Sequence, residues 1–162
     1  MVPLLQNKNA STLCCFRPNF RNFITVLYTV FMDCVSYLLD EMVTDGVAEL
    51  LVAIIADPAH GYVLTVGAGG VLTELWQDTQ HLLVPAKEAE VHAALDRLRI
   101  APLLDGYRGA PAADRAAVVE AILAVQDYAI AQDGRVAEVE VNPLIVTATR
   151  AVAADALIRG DL

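Results

Sequence analysis

The stretch VEVNPL, residues 139–144, opens with hydrophobic and polar side chains in alternation, from Val139 to Asn142. Val139 and Val141 fall on one side of an extended chain, and Glu138, Glu140 and Asn142 on the other. A strand with one face on a core accounts for the valines. It leaves two carboxylates and an amide in a row on the opposite face. Downstream, Thr147–Arg150 (TATR) reads as a hairpin loop, followed by a second strand in AVAADALI, residues 151–158. If Val146 faces Ala151, antiparallel pairing places Asn142 opposite Asp155, with Glu140 two residues further along the same face. Two readings of that face are open. An amide oxygen and a carboxylate side by side, with a second carboxylate nearby, form a hard-oxygen site that suits Mg²⁺, whose remaining positions go to water and phosphate oxygens. The same residues also suit a sheet face that simply meets water.

The chain has 162 residues, a net charge of −9 and 56% apolar residues, enough for one domain with a sizeable core. Such acidity supplies no electrostatic footprint for nucleic acid. Composition is uneven. Residues 1–40 hold all three cysteines (Cys14, Cys15, Cys34), all four phenylalanines and a single alanine. From Glu41 onward the chain is rich in Ala, Val, Leu and Asp. This seam predicts an atypical segment over residues 1–36, not the natural start of the domain, and a folded unit over 37–162. The run FITVLYTVFMDCVSYLL, residues 23–39, follows Lys8, Arg17 and Arg21 but is about 17 residues long and contains Asp33. That argues against a membrane span. The cysteines have neither zinc spacing nor a disulfide pattern, which fits reduced thiols and a cytoplasmic protein.

The pattern predicts strands at 48–56 and from Tyr62 into the glycines at 67–70, then a strand pair over 70–85. A helix is expected over 87–99, with Val91, Ala94, Leu95 and Leu98 inward, and a longer one over 113–132, with Val118, Ile122, Val125 and Ala129 inward. Residues 101–111 (APLLDGYRGAP) read as a loop, in which Asp105 and Arg108 could pair. The stretch VGAGGVLTE, residues 66–74, matches neither the dinucleotide fingerprint nor the Walker loop, because its spacing is wrong and its nearest lysine is Lys87. A tight turn and a ligand cradle both remain open for Gly67, Gly69 and Gly70.

Taken in order, LLDEMVTDG, GAGGVLTEL, PLLDGYRG and EVEVNPLIV…VAADALI resemble the ATP-grasp portion of ADP-forming acyl-CoA synthetases, relatives of the succinyl-CoA synthetase β subunit. The likeness covers about residues 37–160. It implies an α+β fold, the C-terminal half of an ATP-grasp domain, with a mostly antiparallel sheet and two main helices. It implies Mg²⁺ and ATP or ADP as cofactors, with Asn142 and Asp155 as Mg²⁺ ligands and Glu140 at a second metal position. It also implies nucleotide contacts from Glu41, Thr44 and Glu49, with the Gly67–Gly70 loop near the phosphates. The family's reaction converts acyl-CoA, ADP and phosphate to the acid, CoA and ATP, with a CoA-binding α-type domain or subunit as partner. The family's phosphate-gripping lysine precedes the matched stretch, and relatives usually carry Arg where this chain has Leu82. An incomplete, singly inactive enzyme part is therefore expected. The alternative is a non-catalytic ligand-sensing module beside a CoA-binding or acyltransferase partner.

Overall fold

A computed structural model describes residues 28–32, 35–39, 42–70 and 73–160. Glu41, the three cysteines and the basic residues at 8, 17 and 21 lie outside these. Strands β1 (Tyr28–Met32) and β2 (Val35–Leu39) form an antiparallel hairpin, a two-stranded sheet of its own. Among the described residues no helix is long and apolar enough to cross a membrane.

The main sheet holds β3 (Ala48–Asp57), β4 (Gly61–Ala68), β5 (Thr79–Leu83), β6 (Val136–Val146), β7 (Ala151–Ala153) and β8 (Ala156–Gly160). Its order is β5-β4-β3-β6-β7, with β8 also on β6, and every pairing is antiparallel. One face is covered by helices α2 (Glu88–Arg97) and α4 (Arg115–Ala131). Leu50, Val52 and Ile54 of β3, Leu64 and Val66 of β4, and Val139, Val141, Leu144 and Val146 of β6 are buried against them. The helices contribute Val91, Ala94 and Leu95 from α2, with Leu98 just beyond it, and Val118, Ile122, Val125 and Ala129 from α4. These are the inward positions that the helical spacing predicts. Each fully buried aliphatic side chain contributes about 1.5–3 kcal/mol. The α+β architecture with two main helices is thus the observed one.

Local chemistry sets the helix ends. Asp114 caps α4 by accepting the Ala117 amide at 3.0 Å. Glu90 reaches back to the Lys87 amide at 2.7 Å at the start of α2. Buried Gln126 of α4 accepts the Ala86 amide at 2.6 Å and donates to the Ala86 carbonyl at 3.2 Å, tying that helix to the segment after β5.

Four local expectations are corrected. Residues 73–76 form a single helical turn, α1 (Thr73–Trp76), where a strand was expected. The Thr73 hydroxyl donates to the Gly70 carbonyl at 2.8 Å and fixes the chain in a turn before extension can begin. Residues 101–104 form α3 (Ala101–Leu104), with Pro102 early in the turn, where proline is tolerated. The last strand is split into β7 and β8 around residues 154–155. Asp105 pairs with Arg115 at 2.9 Å, not with Arg108, and the same Arg115 reaches Asp96 at 2.7 Å. Arg108 instead lies over the Tyr107 ring, 5.3 Å from its centroid.

The β3–β4 turn carries a pH-sensitive contact. One oxygen of Asp57 accepts from the Ala59 amide, the His60 amide and the His60 ring, each at 2.8 Å. The Ala59 amide, then the His60 ring and amide, hold the Asp57 carboxyl below its ordinary value. A depressed carboxylate stabilises the fold above its unfolded pKa of about 3.9, and the contribution fades as pH falls through the lower folded value. Wild type is therefore expected to melt above Asp57→Ala at pH 7, with the gap closing as pH falls through the lowered folded value. Thermal melts of both proteins across that range check this; a gap independent of pH would refute it.

Candidate functional site

The last two strands follow the register counted from the TATR loop. Val146 pairs with Ala151 and Val141 with Ala156. Between them the Asn142 amide donates to the Asp155 carbonyl at 3.2 Å, so the two residues oppose one another.

On its other edge β6 meets β3 with a discontinuity. Leu50 pairs with Leu144, but Val52 pairs with Val141. Asn142 and Pro143 together therefore face the single residue Leu51, a β-bulge. The extra residue lets Val139 and Val141 point into the core before it, and Leu144 and Val146 after it. Glu138, Glu140 and Asn142 are left half-buried on the face away from the helices. Asp155 is exposed beside them and accepts its neighbour Ala156's amide at 2.8 Å.

The glycine loop closes onto this face from the end of β4. The Gly69 amide donates to the Glu49 carbonyl at 2.9 Å. A Cβ on Gly69 would collide with the Leu50 carbonyl, and one on Gly67 would come within 2.6 Å of the Asp78 carbonyl oxygen. Close backbone approach thus requires glycine at both. Gly70 has φ +65°, and a Cβ there would overlap the Glu49 carboxylate. The Gly70 amide donates to Asn142 Oδ1 at 3.0 Å. Asn142 Nδ2 in turn faces Glu140 Oε1 at 3.4 Å. One chain of contacts therefore joins Glu49, Gly70, Asn142, Glu140 and the backbone of Asp155.

The electrostatics of the face are graded. Glu138 is paired with Arg159 at 3.2 Å. Among the described residues no ion pair engages Glu140 or Asp155. No group of three or more His, Cys, Asp or Glu side chains converges among the described residues. Two carboxylates and an amide oxygen are donors of the type that suits a hard cation, which takes few protein ligands and keeps water or phosphate oxygens.

Of the residues singled out from the sequence, Glu49, Gly70, Asn142 and Glu140 are brought together, and Asp155 joins them through its backbone carbonyl. Gly67 and Gly69 shape the loop. Thr44 is exposed in the segment before β3 and makes no hydrogen bond within the group. Glu41 lies outside the described residues. The Gly70–Asn142 bond had no signal in the sequence: it joins positions 72 residues apart.

Residues 32–159 match the family description of the ATP-grasp domain. The chain belongs to the ATP-grasp family. Over 98 residues this ATP-grasp chain is 37% identical to a trans-feruloyl-CoA synthase from an unknown prokaryotic organism, covering 60% of the chain and 14% of that protein. Over 98 residues it is 28% identical to the acetate–CoA ligase [ADP-forming] II subunit beta of Pyrococcus furiosus, covering 60% of the chain and 42% of the subunit. The structure is similar to that of the dinucleotide-forming acetyl-coenzyme A synthetase 1 of Ca. Korarchaeum cryptofilum in complex with coenzyme A and Mg-AMPPCP. That likeness has a TM-score of 0.72 at 27% identity, over 76% of this chain and 57% of the other. The ATP-grasp chain thus spans well under two thirds of each of these relatives.

Proposed function

We propose that this chain is the Mg²⁺-nucleotide half-site of an ADP-forming acyl-CoA synthetase. The observation that carries the reading is Asn142 opposite Asp155, with the glycine loop's Gly70 amide on the Asn142 side chain. It is supported by likeness to ADP-forming acetate–CoA ligases and to a structure with Mg-AMPPCP bound.

In this reading Asn142 and Asp155 hold the cation, with Glu140 beside them. A bound Mg²⁺ neutralises charge across the nucleotide phosphates. The chain's own residues orient and select. The close-packed loop at Gly67–Gly70 brings main-chain N–H groups to the phosphates, while Glu49 and Thr44 border the nucleotide and Glu41 contacts its base or ribose. The overall reaction, acyl-CoA with ADP and phosphate giving the acid, CoA and ATP, needs a CoA-binding α-type partner and the phosphate-gripping half of the clamp. We take residues 37–162 as the functional unit and the cytoplasm as its compartment.

Calorimetry with Mg-ADP tests the reading. Wild type is expected to bind weakly and only with Mg²⁺. Asp155→Ala is expected to lose on the order of 10–100-fold in affinity, as changes in the shells of metal sites commonly do. Equal binding by the two proteins would remove Asp155 from the metal site.

A further inference from the structure

We infer that Asn142 is a two-state tether for the glycine loop. Its amide oxygen holds the Gly70 N–H, and on Mg-nucleotide binding that donor passes to a phosphate oxygen. The inference rests on the proposed nucleotide site and assigns Asn142 a second, positioning task there.

The geometry that points to it is specific. The Asn142 amide is engaged at both ends, with Oδ1 on the Gly70 amide at 3.0 Å and Nδ2 toward Glu140 at 3.4 Å. These partners set the orientation of the group, oxygen toward the loop and nitrogen toward the carboxylate. The two glycines are held by different kinds of partner, Gly69 by strand backbone and Gly70 by side chains. Gly69 is pressed on the Leu50 backbone and bonded to the Glu49 carbonyl, so it cannot move without disturbing β3. Gly70 sits in the left-handed region; its carbonyl accepts the Thr73 hydroxyl at 2.8 Å, while its N–H is held by one bond to a side chain. Rotation of the Gly69–Gly70 peptide plane re-aims the N–H while the Gly69 Cα and its own N–H stay in place.

Exchange of partners follows from acceptor strength. A cation on Oδ1 draws electron density from the amide oxygen and weakens it as an acceptor. A phosphate oxygen is ionised and forms a shorter, stronger bond to a backbone N–H than a neutral amide does. Glu49 adds a consequence. Its carboxylate lies over Gly70, where an incoming phosphate would meet like charge. The side chain must therefore turn away as the N–H changes partner, so cation, loop and Glu49 move together.

The test reads the Gly70 amide directly in the full chain, by nitrogen–proton NMR shift and hydrogen exchange. Without ligand, Asn142→Ala is expected to speed Gly70 exchange about fivefold, the size of one net hydrogen bond. Asn142→Asp, which keeps an acceptor in place and guards against a variant that fails to fold, is expected to preserve the protection. Equal Gly70 exchange in all three proteins would overturn the tether. In wild type, Mg-ADP is expected to move the Gly70 amide resonance, whereas Mg²⁺ alone or ADP with a chelator is not. If Mg-ADP shifts the amides at 140 and 155 but leaves Gly70 unchanged, the hand-over is wrong and the nucleotide site stands. If Mg-ADP moves no resonance, the nucleotide reading falls and takes the hand-over with it.

Discussion

Asp78→Ala is expected to destabilise the protein by about 3–5 kcal/mol, among the largest effects open to a single polar side chain here. Asp78 is buried, and its two carboxylate oxygens accept the Arg99 amide at 3.0 Å and the Ile100 amide at 3.1 Å. Its carbonyl accepts the Ala68 amide at 3.0 Å. One residue thus fastens the start of β5 to the junction of α2 and α3 and closes the end of β4 just before the glycine loop. Alanine would leave two N–H groups without an acceptor, each costing about 1–3 kcal/mol, and the bonds lost are charge-assisted. Asn keeps one oxygen but turns an NH₂ toward the other amide, so Asp78→Asn should recover less than half of the loss. Urea denaturation of the three proteins measures this. An unfolding free energy for Asp78→Ala within about 1 kcal/mol of wild type would show that the carboxylate is not the anchor.

Gly69→Ala is expected to cost about 2–3 kcal/mol and to abolish Mg-ADP binding with it. The added methyl meets the Leu50 carbonyl and Cα. Leu50 lies in the central strand β3, flanked by β4 and β6, so neither neighbour can retreat without breaking ladder bonds. Gly61→Ala is the matched control. Gly61 has φ +76° but no atom within 4 Å of an added Cβ. It should lose only the conformational cost of about 1–2 kcal/mol and keep any nucleotide affinity. If the two variants unfold at the same denaturant concentration, contact with Leu50 is not what demands glycine at position 69.

Much of this organisation was legible in the sequence, for identifiable reasons. Val118, Ile122, Val125 and Ala129 announce α4 because helical spacing repeats over several turns. The opposition of Asn142 and Asp155 follows from one loop position, since antiparallel pairing propagates register unchanged. The one-turn helices α1 and α3 were not legible, because four residues carry no period. Nor were the Asp78 and Gln126 anchors, whose partners are backbone groups, 21 to 40 residues away, that any residue type would supply. The meeting of Gly70 with Asn142 depends on how two distant parts of one sheet are brought side by side, and neither segment encodes it alone.

The two-for-one step at Asn142–Pro143 ties the address of the acidic cluster to the interior of the molecule. If the extra residue of the bulge were lost, either Glu140 would be driven under the helices or Leu144 and Val146 would be turned out to water. Both are heavily penalised, so the hydrophobic interior works as a ruler for the oxygen atoms on the far side. Loops at the rim can lengthen or shorten without shifting Asn142, whereas a deletion within 139–146 would scramble the layout even if every acidic residue survived.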